Sequence, residues 1–395
     1  MQDFVIDSKL LAMKELGEHF RHSLHKIPEV SGAEYKTSAF CQDVLKKAGF
    51  KITTFEGYTG FLADLDKDCN LPRIAIRADM DALEMNDLTN NEHTSTHKGL
   101  AHNCGHDLHM AIALLSACFI IQHKEKLSYN VRFIFQMAEE KAHIPGANKM
   151  VELGCMEGVN EVYALHNDAS LEYGSVKINN GIMSSFGTIW NLSIQGRAAH
   201  SSTPHKGLDA IYEGARILMD MEHIIAKKTD PFAPAVFSCG VFQGGSIPNG
   251  IAESALLKGT IRAMDGETDE VLKNAFREIE KQSELRGFKT QFSYDGYPAI
   301  FNHAACVQRL VESAQKVLKN HNMLFQSCEP MSASEDFSYM IEACRDKKGA
   351  MYFLGSGNTQ KGICNYLHSN PYYVEDKAIL VGAQIWINLI LSFGK

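Results

Sequence analysis

The chain has 395 residues, of which 45% are hydrophobic and 22% are charged, and its formal net charge at pH 7 is −8. These values are typical of a globular protein that is folded throughout, and they exclude a single small module and a disordered tail. The acidic balance, without a basic stripe or a strongly basic amphipathic helix, argues against nucleic-acid and membrane partners and leaves a small molecule as the expected substrate.

No targeting or membrane segment is evident in the sequence. The N-terminal stretch mixes acidic with apolar residues and has no basic region followed by an apolar one. The longest apolar run, residues 111–121, is shorter than a bilayer-spanning helix and fits a buried core helix. The ten cysteines form no Cys-X-X-Cys pair, so we expect them to be reduced. We therefore expect a cytoplasmic protein.

Helices and strands alternate along the first part of the chain. The predicted helices are 10–24, 33–48 with Gly49 as its stop, 107–123, and one that begins near Gly146. Continuous apolar runs predict buried strands at 73–79, 130–136 and 161–166. This alternation predicts an α/β fold with helices layered on a sheet.

The pattern changes from about residue 186. Alternating strands are predicted at 186–196, on either side of the Gly-rich turn 243–246, and at 289–297, with helices at 209–228 and 269–286. The order strand, helix, strand, strand, helix, strand is the split βαβ pattern of a ferredoxin-like domain. We predict a catalytic domain formed by residues 1–184 and 298–395, interrupted by an inserted domain at 185–297.

Four polar segments follow predicted strands. They are RADMDAL (77–83), HNCGHD (102–107), MAEE (137–140) and LHND (165–168). Ligands of open α/β sheets bind beyond the carboxyl ends of the strands, so we expect these four segments to converge. Convergence of such residues is what a metal site requires.

The residue types in these segments suit a divalent metal. Cys104 and His106 are one residue apart, so a loop can aim both side chains at one centre, and thiolate, imidazole and carboxylate are ligands for zinc and similar ions. His166, and His368 in YLHSNPYY, are available to complete the set.

Glu139 and Glu140 suit two different roles. Neighbouring side chains in an extended or loop backbone point apart, so one carboxylate can bind metal while the other accepts a proton at the open coordination position.

Simpler interpretations exist for each residue alone. Asp107 can cap a helix that carries incidental histidines, a Glu-Glu pair is commonly a solvated face, and His166 alone is more often a core histidine. A nucleophilic site would instead use the Cys104 thiolate with His102 or His106 as its base. That interpretation leaves both glutamates without a role, so the joint occurrence favours the metal site.

The ordered motifs resemble a known family. RADMDAL, HNCGHDLH, FIFQMAEE, LHND, GRAAHSSTPHKGLDA, LKGTIRA, SASEDFS and LHSNPYY are similar, in order and spacing, to those of the aminoacylase/carboxypeptidase-like metallo-amidohydrolases. The branch concerned contains hippurate hydrolase, auxin-conjugate hydrolases and N-acetyl-diaminopimelate deacetylase. The resemblance implies a mixed-sheet, metallopeptidase-like α/β catalytic domain with an inserted ferredoxin-like α+β lid domain.

The resemblance also implies the components of a two-metal hydrolase. Two divalent ions, of Zn, Mn, Co or Ni, would be held by five ligands, which are Cys104, His106, Glu140, His166 and His368. Glu139 would be the general base, and Asp79 and Asp81 would support the site from behind the ligands.

The inserted domain would contribute the substrate contacts. By resemblance, His200 would reach the scissile carbonyl, commonly from the partner subunit of a homodimer formed through the lid. Asn249 and Arg262 would hold the substrate's carboxylate, and His205, in the matching PHKGLDA stretch, would also contact substrate.

The implied reaction is hydrolysis of the amide bond of an N-acyl amino acid by a metal-activated water. Two alternatives stay open: a dipeptidase or carboxypeptidase of the same fold, and a non-catalytic metal-binding protein that recognises a ligand. The Cys-Gly-His-Asp form of the motif favours N-acyl amino acids over dipeptides as substrates. Glu139 argues against the non-catalytic alternative, because a purely structural metal site does not need an extra carboxylate beside its ligands.

Overall fold

A computed structural model of the chain describes residues 3–141, 143–144 and 146–392. The chain divides into two units. The first comprises the described residues of Met1–Met183, Ile300–Glu329 and Asp336–Lys395, and the second comprises Ser184–Ala299 and Pro330–Glu335. In sequence, the second unit therefore interrupts the first near the predicted insert, and it also includes a short segment that follows that insert.

Helices and strands of the first unit come from both of its sequence parts. Its helices are α1 Ser8–Leu11, α2 Lys14–His25, α3 Tyr35–Ala48, α4 His106–Ile121, α5 Ala147–Glu152, α8 Ala304–Gln315, α9 Ser338–Ala343 and α10 Lys377–Ser392. Its strands are β1 Lys51–Thr54, β2 Phe61–Leu65, β3 Arg73–Asp79, β4 Asn130–Gln136, β5 Val159–Glu172, β6 Val176–Ile178, β7 Gly181–Ile182, β14 Phe301–Asn302, β15 Leu324–Gln326 and β16 Gly349–Gly357.

Eight of these strands form one mixed sheet, in the order β1-β2-β4-β3-β5-β16-β6-β15. At its centre β3 pairs in parallel with β4 and β5, and β5 pairs in parallel with β16. β4 and β16 are buried along their whole length, as parallel strands covered on both faces are expected to be. The predicted α/β fold with a mixed sheet is thereby confirmed.

Helix α4 is the core helix that the apolar run predicts. Nearly all of its residues are buried, and it packs against α2, α3, α10 and the sheet. Within the part of the chain that the structure describes, none of the helices combines the length and apolarity needed to cross a membrane.

Two elements differ from the sequence-based expectation. The predicted helix 10–24 is broken into α1 and α2, with the N–H of Met13 donating to the carbonyl of Leu10 in a tight turn. Strand β5 continues to Glu172, beyond the predicted end at residue 166.

The second unit is a four-stranded antiparallel sheet with two helices. It contains α6 Ala210–Lys228 and α7 Gly266–Leu285, and its strands are β8 Phe186–Gln195, β9 Ala199–His200, β10 Ala235–Gly244, β11 Gly250–Ile251, β12 Ser254–Ala263 and β13 Lys289–Tyr297. The four long strands lie in the order β10-β12-β8-β13, which is the ferredoxin-like order. Trp190, Leu257 and Phe276 lie in the core that the sheet and helices enclose.

Candidate metal centre

Two of the polar segments leave the sheet at the same edge. Asp79 is the last residue of β3 and lies opposite Gln136, the last residue of β4, in a parallel pair. The segment with Asp81 and the segment with Glu139 and Glu140 therefore begin side by side. This is the convergence that the strand-end argument predicts.

His166 reaches the same region from within a strand. It lies opposite Phe353 of β16, and the pairing of these strands continues to Glu172. The expectation that the strand ends at His166 is therefore wrong. The polar residues after it remain strand because their backbone groups still pair with β16.

The start of α4 supplies two further predicted ligands. Gly105 adopts a left-handed conformation with φ 89°, and a Cβ added there would lie 2.2 Å from the side-chain oxygen of Asn167. Only glycine fits this turn, which separates the buried Cys104 from His106, the first residue of the helix. Asp107, interpreted above as a possible cap, lies inside the first turn instead and pairs with Arg21 at 3.0 Å.

Backbone carbonyls orient both buried histidines. His106 donates from Nδ1 to the carbonyl of Asp81 at 2.8 Å, and His166 donates from Nδ1 to the carbonyl of Asn167 at 2.8 Å. In the neutral form of each ring, Nδ1 is therefore the protonated nitrogen and Nε2 is the nitrogen available to a metal. Nε2 of His166 lies 3.4 Å from the sulfur of Cys104.

The five predicted ligands fall into two groups that share one residue. Potential ligand atoms of Cys104, His106 and His166 lie within 4.8 Å of one another, and so do those of Cys104, Glu140 and His368. Cys104 is the shared residue. Cys104 would therefore be available as a ligand in either group.

Two buried atoms of this cluster lack a hydrogen-bond partner among the described residues. They are Nε2 of His106 and Oε1 of Glu140, which lie 3.8 Å apart. Buried polar atoms are nearly always hydrogen-bonded, so two facing orphan atoms indicate a bound group. One is a ring nitrogen and the other a carboxylate oxygen, so a cation bound at each atom would satisfy both.

The electrostatics of the cluster also favour a cation. Burial and the carboxylates of Glu140 and Glu139 raise the pKa of the Cys104 thiol well above its ordinary value. Burial lowers the pKa of His106, but Asp79 and Asp81 outweigh it and raise this pKa to about 10. Negative charge raises both pKa values, in addition to burial for Cys104, and divalent cations at this position would offset that charge.

The segment with the two glutamates contains an unusual backbone conformation. Ala138 has φ 54°, a left-handed conformation that a residue with a Cβ adopts rarely. Glu139 is buried, and its carboxylate groups with His106 and Glu140. The predicted base therefore lies beside two predicted ligands.

The two aspartates of RADMDAL contact the histidines directly. Asp79 accepts from Nδ1 of His109 at 2.6 Å and from Arg77 at 2.7 Å, and its other close neighbour is Nε2 of His106 at 3.5 Å. Asp81 contributes its carbonyl to His106. Both therefore lie next to His106, one of the predicted ligands.

His109 and Arg77 both contact Asp79, and no role for either was predicted from the sequence. Two signals point to them. His109 is three residues after His106 on one helix, and residues at that spacing share a face. Arg77 is two residues before Asp79 on one strand, so both side chains lie on the same side of the sheet.

The predicted substrate residues all lie in the second unit. His200 of β9 pairs with Gly250 of β11, and its Nδ1 is 2.7 Å from the hydroxyl of Ser202. His200 and Asn249 line one cavity of about 580 Å³. Among the described residues that line this cavity, neither His205 nor Arg262 is present. His205 is exposed in a short turn, and Arg262 donates to the carbonyl of Ile261.

Comparison with known proteins agrees with this geometry. Residues 75–392 match the model of "Peptidase family M20/M25/M40". The chain is 32% identical to the N-acetyl-L-cysteine deacetylase of Bacillus subtilis, over 91% of this chain and 84% of that protein. It is 30% identical to thermostable carboxypeptidase 1 of Saccharolobus solfataricus, over 94% of each chain.

A solved structure extends the comparison to the fold and the metal content. It is that of a dinuclear metal-binding peptidase from Bacillus subtilis, with a TM-score of 0.80 and 25% identity, over 97% of this chain and 98% of the other. The family resemblance of the ordered motifs is thereby confirmed.

Proposed function

Because this chain belongs to peptidase family M20/M25/M40, we propose that it hydrolyses the amide bond of an N-acyl amino acid in a reaction that depends on two divalent metal ions. The observation that carries the proposal is the pair of ligand groups that share Cys104. The deacetylase relative supports an N-acyl amino acid as the substrate.

The metal ions would be held by the five residues of the two ligand groups. Imidazole, thiolate and carboxylate together suit Zn, Mn, Co or Ni. When bound, such ions lower the pKa of water toward neutrality and polarise a carbonyl oxygen. The facing atoms of His106 and Glu140 support this assignment because both are buried and lack another partner among the described residues.

Glu139 would carry the proton. Its carboxylate accepts a proton from the attacking water and returns it to the departing amine nitrogen. The products are a carboxylate and a free amino acid. Glu139 suits this role because it is buried beside His106 and Glu140, two of the residues that would hold the ions.

The second unit would bind the substrate. We assign His200 to the carbonyl oxygen of the scissile bond, where an imidazole N–H stabilises developing negative charge. Asn249, which lines the same cavity, would hold the substrate's carboxylate. Arg262 and His205 are assigned to substrate only through the motifs that contain them.

Carboxypeptidase activity is the second candidate, because a thermostable carboxypeptidase is similar over nearly the whole chain. The same metal centre and base would serve either reaction, since both break an amide bond next to a carboxylate-bearing residue. The two reactions differ in the acyl side of the substrate. It is an acetyl or benzoyl group in an N-acyl amino acid, and an amino acid or peptide in a carboxypeptidase substrate.

The exposed edge of the second unit supports a homodimer. β10 is an edge strand of its sheet, and Val236 on it is 58% exposed. An unpaired edge with apolar side chains is a surface suited to pairing with a second copy.

The test is hydrolysis of a substrate panel by protein with a measured metal content. N-acetyl and N-benzoyl amino acids and dipeptides are assayed with and without added Zn, Mn or Co, for wild type, Glu139→Ala and the exposed control Glu152→Ala. We expect metal-dependent release of amino acid in wild type and control only. Cleavage of dipeptides alone would establish the second candidate, and bound metal without any cleavage would indicate a non-catalytic binding protein.

A further inference from the structure

The segment that joins α2 to α3 reaches the backbone around Glu139. Its last residue, Glu34, is fully buried, with an exposed fraction of 0%. The Glu34 carboxylate accepts the N–H of Ala138 at 2.8 Å, the N–H of Gly32 at 2.8 Å and the hydroxyl of Thr59. One of its three donors is therefore the N–H of Ala138, the residue before Glu139.

Ala138, whose N–H Glu34 binds, is a left-handed residue with φ 54°. A left-handed conformation is unfavourable for a residue with a Cβ, so contacts with other parts of the protein have to hold it. The hydrogen bond to Glu34 is such a contact. It comes from a residue 104 positions away in the sequence.

A second carboxylate holds the other side of Glu139. The N–H of Glu140 donates to Oδ2 of Asp81 at 2.9 Å. The same oxygen accepts the hydroxyl of Ser31 at 2.6 Å, and Ser31 lies in the same segment as Glu34. The backbone N–H groups of the residues on both sides of Glu139 are thus bound by buried carboxylates.

Capping of α3 does not account for the Glu34 side chain. Glu34 stands at the N-cap position, but its side chain makes no capping hydrogen bond. Glu29 makes that contact instead: its carboxylate accepts the N–H of Thr37 at 2.9 Å and the Thr37 hydroxyl at 3.0 Å. The Glu34 carboxylate instead binds the segment around the left-handed residue Ala138, residues 137–139, which we call the Ala138 turn.

We propose that Glu34 is a positioning residue that fixes the Ala138 turn and thereby aims the Glu139 carboxylate. The proposal rests on the proposed function, in which Glu139 is the base. A base displaced by about 1 Å loses on the order of a hundredfold in rate, so a residue that sets its backbone controls turnover without touching substrate.

The experiment compares Glu34→Ala and Glu34→Gln with the matched control Glu29→Ala. Glu29→Ala removes a carboxylate from the same segment and weakens the start of α3, but it leaves the Ala138 turn intact. Glu34→Gln keeps an oxygen that accepts the Ala138 N–H. For each variant we would measure kcat, KM, metal ions per chain, and hydrogen exchange of the peptide that spans residues 136–141.

We expect Glu34→Ala to lose at least about tenfold in kcat, with KM and metal content within about twofold of wild type. Its 136–141 peptide should exchange at least about tenfold faster. Glu34→Gln should restore both quantities to within about threefold, and Glu29→Ala should change neither, although it melts at a lower temperature.

Three results would overturn the proposal: unchanged kcat in Glu34→Ala, an equal loss in Glu29→Ala, or a loss in Glu34→Ala that follows loss of metal. Hydrogen exchange of the 136–141 peptide tests the turn-holding role of Glu34 independently of activity. If wild type cleaves no substrate, the proposed function fails, whereas unchanged exchange in Glu34→Ala overturns the turn-holding role itself.

Discussion

A single ring nitrogen decides whether a histidine of this centre can bind a metal. In both His106 and His166, Nδ1 donates a hydrogen bond to a backbone carbonyl, and Nε2 faces the cluster. The carbonyl for His106 comes from Asp81, on the segment after β3. Backbone carbonyls, rather than other ligands, therefore favour protonation of Nδ1 in both rings.

Removal of the shared ligand should affect both ions, whereas removal of an outer ligand should affect one. We expect Cys104→Ser to weaken binding of both ions by more than about tenfold, and His368→Ala to retain one ion per chain. Metal titration of protein first stripped of metal measures the number of ions and their affinities.

The exposed Cys69 offers a matched control, since Cys69→Ser changes a thiol outside the cluster. Full binding of both ions by Cys104→Ser would contradict the assignment of Cys104 to both ligand groups. Loss of both ions from His368→Ala would contradict the division into two groups.

Glu34 should make stability depend on pH in a defined direction. Burial, and next the charge of Asp81, raise the pKa of Glu34 from 4.5 to about 7. The folded protein then binds this proton more tightly than the unfolded chain, so Glu34 lowers stability progressively as pH rises from about 4.5 to about 7.

Glu34→Gln removes this effect. We expect the variant to gain stability relative to wild type between pH 5 and pH 8, by at most roughly 3 kcal/mol, with no further gain above pH 8. Urea unfolding in the presence of EDTA measures this difference without bound metal. A difference that stays constant with pH would show that Glu34 keeps its ordinary pKa.

Candidate metal ligands were easier to predict from the sequence than the contacts that hold the backbone around them. Cys104, Glu140 and the other proposed ligands stand in recognisable motifs, and the structure brings them together. Glu34 was not predicted because its partner, Ala138, lies on another segment and contributes only a backbone N–H. Contacts of that kind depend on the path of the chain, and no side-chain pattern records them.

At the scale of elements, the turn before α4 fixes the geometry of two ligands. Gly105→Ala places a Cβ against Asn167 in addition to the left-handed backbone cost. We expect a loss of more than about 2 kcal/mol in the free energy of unfolding, together with weaker metal binding.

Gly49, at the end of α3, is the matched control. It has φ 104°, and an added Cβ would meet nothing within 4 Å. Gly49→Ala should therefore cost only about 1–2 kcal/mol and leave metal binding unchanged. Chemical unfolding and metal titration of both variants test this, and equal metal affinity in Gly105→Ala and wild type would contradict it.

Element boundaries were predictable where apolar runs coincide with buried strands. β3 and β4 have the predicted bounds, and Gly49 ends α3 as expected. The extension of β5 was not predictable from such a run, because polar residues follow His166 in a strand whose pairing with β16 maintains it. Cross-strand pairing is a property of two segments, whereas a hydrophobic run describes one.

At the scale of the whole molecule, the edge strand β10 is the proposed surface for a second copy. We expect wild type to have a mass of twice the chain's 43.9 kDa in light scattering, and Val236→Lys to have the mass of one chain. A lysine on an edge strand opposes pairing because its charge would be buried. Tyr35→Lys, at an exposed site in the first unit, should remain dimeric.

The uneven exposure of the five proposed ligands has a consequence for how quickly ions exchange. His368 has a side chain that is 51% exposed, whereas Cys104, His106 and His166 are buried. An ion would enter and leave past His368, whose loop also has a left-handed backbone, at φ 63°. A chelator should then strip the protein at a rate set by opening of that loop, without unfolding of the sheet that carries the remaining ligands.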